Sequence, residues 1–200
     1  LRGNGTAVSG SVKEPDMGIE QSVIQHCAPT LAGMKAAGLF NFFYEGKEEI
    51  KKELDWLNGM LNPRVVWVQA LLWKESTVLV YVYRKKQIEA SLSQRDVQEL
   101  LKNYGYEDFS LEKSLLHLKK RLHGYKCFPH EIGIFLGYPL EDVKGFIDNK
   151  GKNCQSCGSW KVYCNAGEKE ALFDKYRKCT RIYRQVFEAG RKLPQMTVVM

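Results

Sequence analysis

Arg64-Val65-Val66-Trp67-Val68-Gln69-Ala70-Leu71-Leu72-Trp73-Lys74-Glu75-Ser76-Thr77-Val78-Leu79-Val80-Tyr81-Val82-Tyr83-Arg84 is the stretch that decides the fold. Two runs dense in Val, Leu, Trp and Tyr, residues that suit a pleated and half-buried surface, flank the polar trio Lys74-Glu75-Ser76, which reads as a hairpin loop. We expect strands at 64–73 and 77–84, with a short extended piece at 159–163 as an added strand.

Everything around this hairpin reads as helix. Ile19, Val23 and Ile24 fit a short helix from Met17 to about Cys27; Pro29 stands where it should stop, making 26–29 a helix end or loop. From 48 to 61, charged residues alternate with Ile50, Leu54, Trp56, Leu57 and Leu61 at helical spacing until Asn62-Pro63 ends the pattern. Helices are expected at 87–92, 95–103 and 111–123, the last with Leu111, Leu115, Leu118 and Leu122 on one stripe and His117 and His123 off it, facing solvent. Pro129 can open a helix to Leu136 that Gly137 caps, and Pro139 another to about Asn149. Residues 154–164 suit a turn leading into a strand. A long helix spans 166–189, with Leu172, Tyr176, Cys179, Thr180, Tyr183 and Phe187 on one face and Gly190 after it. The sum is an α+β fold, a small antiparallel sheet covered by several helices.

The chain has 200 residues, 44% hydrophobic and 26% charged, as one ordinary globular domain over 17–200 requires. Residues 1–16 are rich in Gly, Ser and short polar residues without periodicity, and are expected to be a disordered N-terminal segment or a cloning remnant. No apolar run reaches the roughly 18 residues of a membrane span, so no membrane partner is expected. Six cysteines are too few for a disulfide-stapled scaffold and no signal segment is seen, so a reducing, cytoplasmic setting is expected.

The net charge of +7 is unevenly spread. Segments 1–16, 17–62, 63–109, 110–150 and 151–200 carry 0, −2, +1, +2 and +6. A positive field concentrated at one end attracts polyanions or an acidic partner. Arg177, Arg181 and Arg184 share one side of the last helix, where they can contact phosphates without reading sequence; a solvated face with Asp174 pairing to Lys178 explains much of it equally well.

Cys154-Gln155-Ser156-Cys157 is the most specific local signal, since two thiolates two residues apart can reach one metal ion. It is half of a site; the ligands to complete it would come from Cys27, Cys179, His26 or His130. As a redox dithiol it lacks the helix N-terminus that activates a thioredoxin-type thiolate, because Gly158 to Tyr163 reads as extended. A His26-Cys27 dyad is disfavoured because sequence neighbours point apart, which leaves His130 as the better partner for a catalytic thiol. There is no Gly-rich phosphate loop, dinucleotide fingerprint, nucleophile elbow or His-Glu-x-x-His. The stretch 132–146 has helix-turn-helix spacing, but Leu140, Glu141 and Asp142 at the head of its second helix would repel DNA, so it reads as packing.

The segments His26-Cys27-Ala28-Pro29-Thr30-Leu31-Ala32-Gly33, Phe128-Pro129-His130-Glu131-Ile132-Gly133-Ile134-Phe135-Leu136-Gly137-Tyr138-Pro139, Gly151-Lys152-Asn153-Cys154-Gln155-Ser156-Cys157-Gly158-Ser159-Trp160-Lys161-Val162-Tyr163 and Tyr176-Arg177-Lys178-Cys179-Thr180 resemble a bacterial family catalogued as domain of unknown function 3793. The resemblance runs from about Met17 to the C-terminus and implies an anaerobic, clostridial-type cytoplasm. It brings no activity with it. It marks Cys27, Cys154, Cys157 and Cys179 as belonging to motif segments, and not Cys127 or Cys164. The expectation drawn from the sequence is an accessory protein in which those four cysteines form a thiolate site for zinc, iron or a redox event, with His26 and His130 as further ligands or proton carriers. Its rivals are a module binding nucleic acid or an acidic protein through Arg177, Arg181 and Arg184, and a cysteine-dependent enzyme.

Overall fold

The computed structural model describes residues 17–124 and 128–199; the expected disordered segment 1–16 and Cys127 lie outside the described residues. In chain order the elements are α1 (Ile19–Leu31), β1 (Ala37–Phe43), α2 (Lys47–Leu61), β2 (Trp67–Trp73), β3 (Thr77–Tyr83), α3 (Lys85–Leu92), α4 (Arg95–Lys102), α5 (Leu111–Gly124), α6 (Ile132–Phe135), α7 (Leu140–Asp148), β4 (Ser156–Cys157), β5 (Lys161–Val162) and α8 (Ala166–Glu188).

The hairpin is present, and β3 is its buried strand. The main sheet is antiparallel in the order β1-β3-β2, with Phe40 opposite Val80 and Val68 opposite Val82. The third strand is β1, not 159–163: Lys161–Val162 pairs instead with Ser156–Cys157 in a separate two-stranded ribbon. Strand β2 begins three residues later than the apolar run suggests, because Asn62–Arg64 continues α2 as a 3-10 turn and Val65 reverses the chain at φ 55°.

Both faces of β3 are covered. Val78, Val80 and Val82 point into a core made with α1, α2 and the C-terminal half of α8, while Leu79, Tyr81 and Tyr83 point into a second core made with α3, α4, α5, α6 and α7. The pleat sends alternate side chains to opposite layers, so one strand nucleates both; each such fully buried side chain stabilises by roughly 1.5–3 kcal/mol. The unit 132–146 packs as expected, with Ile132, Ile134, Phe135 and Val143 in the second core. A small third cluster of Trp160, Val162, Phe173 and Tyr176 seats the β4–β5 ribbon against the first half of α8.

Helix α1 does not stop before Pro29. It runs through the proline to Leu31, because Thr30 and Leu31 are fully buried and the last carbonyls are capped from outside the helix. Arg84, itself buried, donates from Nε to the Thr30 carbonyl and from Nη2 to the carbonyls of Leu31 and Val198. Gly33, at φ 75°, then turns the chain toward β1, a conformation an L side chain resists. Helix α8 lies antiparallel against α1: the Tyr176 hydroxyl reaches the Met34 carbonyl just past the end of α1, while Glu20 at its start senses Lys192 beyond the end of α8.

Among the described residues no helix is long and apolar enough to cross a membrane.

Candidate functional site

The cysteines do not gather. Cys27 is fully buried in α1, under β1, and Cys179 is buried on the α8 face that packs inward. Cys154 and Cys157 sit at the β4–β5 ribbon, Cys157 exposed and Cys154 half-buried, and Cys164 lies beside Asp142. All five are free thiols. Burial pushes the Cys27 thiol up to about 12 and raises that of Cys179 as well, so both are neutral packing groups at physiological pH. Among the described residues no group of three or more His, Cys, Asp and Glu is placed to hold a metal ion.

The histidines also separate. The exposed His26 ring stacks on Phe40 at 5.2 Å, and the exposed His130 lies edge-on to Phe146 at 5.0 Å. His117, expected in solvent, is half-buried instead: Nε2 donates to the Tyr104 carbonyl at 3.0 Å and the ring sits 4.2 Å from Tyr106. The short connection through Gly105 folds back over α5 and covers it.

What the fold does bring together is the arginine stripe and α1. The i, i+4, i+7 spacing of Arg177, Arg181 and Arg184 puts them on one side of α8, and that side borders a cleft of about 560 Å³ whose opposite wall is α1. Gln25, His26 and Pro29 come from α1, Lys35 from the α1–β1 connection, Ser159 from the ribbon, and Tyr176, Thr180, Gln185 and Glu188 from α8. Three arginines and a lysine therefore face the cleft, with Glu188 as the one carboxylate in its lining among the described residues.

Little inside the protein neutralises this charge. Arg177 pairs with Asp174 on the outer surface, the acid expected to serve Lys178, while Arg181, Arg184 and Lys35 form no ion pair among the described residues. Burial lowers the pKa of Lys35, and its ammonium lies 5.1 Å over the Tyr138 ring. The neighbouring hydroxyls supply no negative charge either: burial pushes the Tyr138 phenol up to about 12 and raises that of Tyr176.

The model of the family described as protein of unknown function (DUF3793) matches residues 23–197. The chain belongs to this family. No curated protein and no solved structure matches it. Three of the four segments that carry the family resemblance line the cleft, and the remaining one backs it. His26 and Pro29 come from the first, Ser159 from the third and Tyr176, Arg177 and Thr180 from the fourth, while Tyr138 of the second holds Lys35 and donates its hydroxyl to the Ser159 carbonyl. Lys35 is the residue sequence reasoning missed. It is the only Lys, Arg, Asp or Glu between Glu20 and Glu45, a lone charge in an apolar stretch, and that signal was available.

Proposed function

We propose that this DUF3793 protein is a binding module for a phosphate-bearing small molecule, held in the cleft between α1 and α8. The carrying observation is that Lys35, Arg177, Arg181 and Arg184, from two elements distant in sequence, face one cleft whose lining holds a single carboxylate, Glu188, with Asp174 pairing only to Arg177. Its volume of about 560 Å³ falls in the range of small-ligand sites, roughly 300–1,000 Å³. Guanidinium groups in a row suit phosphate oxygens, which they can grip in pairs. The family resemblance and the free thiols fit a cytoplasmic setting, which is part of this reading.

A metal or redox role for Cys154 and Cys157 rests on their spacing alone, whereas the cleft rests on charge, concavity and the three family segments that line it. For that reason the anion reading is preferred.

The test is an amide NMR titration with inorganic phosphate, using chloride as the control at equal ionic strength. Saturable shifts should centre on residues 25–35 and 176–188, weaken as salt rises, and be lost in Arg181→Glu. Shifts that do not saturate, that spread over other basic surface, or that survive Arg181→Glu would end the proposal.

A further inference from the structure

Lys35 sits in the cleft without a counter-charge, and its surroundings show what it waits for. The other cations whose pKa burial lowers have oxygen acceptors, Arg84 three carbonyls and Lys119 the Gln69 side-chain oxygen; so do Arg121 with Glu131, Lys161 with the Gly151 carbonyl, and Lys169 with Glu141 and Asp142. Among the described residues Lys35 has neither a carboxylate nor a hydrogen-bond acceptor, only the face of Tyr138 and the thiol of Cys27. Cys27 stays neutral, its thiol held at about 12 by burial. A half-buried ammonium left in this state is costly, and an anion in the cleft removes the cost.

The position of Lys35 also says which anion. It enters the cleft from the α1–β1 connection, at the end marked by Ser159 and Tyr176: its ammonium lies over Tyr138, which donates to the Ser159 carbonyl, and Tyr176 donates to the carbonyl of the neighbouring Met34. A group held there meets donors from two sides. A phosphate monoester offers three terminal oxygens and close to two charges to such donors; a diester offers two oxygens and one charge, and needs a second exit for its chain. The far end carries Gln25, Gln185 and Glu188, and the eleven helical steps from Arg177 to Glu188 span about 16 Å. The carboxylate there repels a second phosphate and accepts from hydroxyl or amino groups.

We propose that Lys35, with Arg177 and Arg181, holds the terminal phosphate of a phosphomonoester whose body carries hydroxyl or amino donors toward Glu188. This rests on the anion-binding reading of the cleft and narrows its ligand class.

The experiment compares methyl phosphate with dimethyl phosphate at pH 8 and constant ionic strength, by NMR titration of the wild-type protein, Lys35→Met and Arg181→Glu. Wild type should bind methyl phosphate at least tenfold more tightly; Lys35→Met should bring the two within about twofold, and Arg181→Glu should lose both. If wild type binds both equally and Arg181→Glu still loses both, the assignment to Lys35 falls while the cleft reading stands. Binding of neither compound by wild type removes both. A second measurement needs no variant: acetylation of Lys35 by acetic anhydride, followed by peptide mass spectrometry, should slow at least fivefold with methyl phosphate and not with dimethyl phosphate. An unchanged rate overturns the proposal.

Discussion

Arg84 donates from Nε to the carbonyl of Thr30 at 2.7 Å, tying the residue after β3 to the last turn of the helix that forms one wall of the cleft. Its Nη2 also reaches the carbonyls of Leu31 and Val198, both at 2.8 Å, so one guanidinium joins the sheet, α1 and the C-terminal segment. Carbonyls at a helix C-terminus carry partial negative charge, and a cation among them is favourable. Arg84→Met should destabilise the protein by about 2–3 kcal/mol, from hydrogen bonds to a charged donor. Arg84→Lys should recover only part of this, because a point ammonium cannot reproduce the fork. Urea denaturation gives both numbers, and faster proteolysis near Val198 in Arg84→Met would show that the C-terminal segment has come loose.

Asp142 plays the matching part for the ribbon. Its buried carboxylate accepts from the Trp160 indole at 2.8 Å, from the Tyr163 amide at 2.8 Å and from the Cys164 amide at 3.4 Å. In Asp142→Asn the amide nitrogen must face one of these donors, leaving a buried N–H unpaired at a cost of about 1–3 kcal/mol. Amide hydrogen exchange should show protection falling at Tyr163 and Cys164 well before the main sheet is affected. Uniform loss across β3 would instead mean that the ribbon is not a separate unit of stability.

Cys27 and Gly38 are fitted to each other. A Cβ added at Gly38 would stand 2.5 Å from the Cys27 sulfur, closer than real side chains approach. Gly38→Ala should therefore cost about 1–3 kcal/mol through overpacking. Removing the sulfur should relieve most of it, so the double variant Cys27→Ala/Gly38→Ala is expected to be at least about 1 kcal/mol more stable than additivity allows. A cycle that adds within error would show that the strand moves aside and that the thiol is not what makes glycine necessary.

Thiol labelling should divide the cysteines by burial. With iodoacetamide at pH 7.5, Cys157, which is exposed, should react first; Cys27, whose thiol burial holds at about 12, should remain unmodified until the protein unfolds. The thiolate is the reactive form, so raising the pH to 9 should still leave Cys27 protected. Rapid labelling of Cys27 in the folded protein would revive a catalytic role for it.

Much of the fold was legible because its signals are local. The β-branched and aromatic runs on either side of Lys74-Glu75-Ser76 gave the hairpin, and Gly137 and Gly190, at φ 70° and 91°, end helices where expected. Strand β1 escaped because Ala37-Gly38-Leu39-Phe40-Asn41-Phe42-Phe43 does not alternate cleanly in burial; Gly38 is small for the sake of Cys27, not of a turn. Helix α1 passes Pro29 because Arg84, 54 residues away from Thr30, caps it from another element, which no local pattern announces. The same limit governed the site. The spacing of Arg177, Arg181 and Arg184 could be read directly, but not that α1 would face them. The Cys-x-x-Cys spacing drew attention to thiols, although Cys27 and Cys179 serve the packing of α1 and α8.

Lys35 connects the site to stability, with a sign that can be checked. Burial lowers its pKa from the usual 10.5. The folded state thus binds the proton less tightly than the unfolded state, and the penalty is fully present at neutral pH. It shrinks as pH rises from the folded value toward the unfolded one, so stability gains an upward slope on the alkaline side. Cys27, Tyr138 and Tyr176, all raised by burial, are neutral near pH 7 and supply no counter-charge there, and the arginines across the cleft are of like charge; above the usual thiol value of 9.0 these acids ionise first in the unfolded chain and pull stability down, so the Lys35 contribution is read as the difference between wild type and variant. The contact with the Tyr138 ring offsets part of the cost, by about 0.5–1 kcal/mol. Burial costs this ammonium more than its neighbours return, so Lys35→Met should make the ligand-free protein more stable, by roughly 0.5–2 kcal/mol, as expected when a group is kept for binding at the expense of the fold. Chemical denaturation from pH 7 to 10 would test both parts: the variant should start higher and lack the alkaline slope attributable to Lys35. A variant less stable than wild type throughout would mean that the ammonium is held by favourable contacts in the free protein and has no need of an anion.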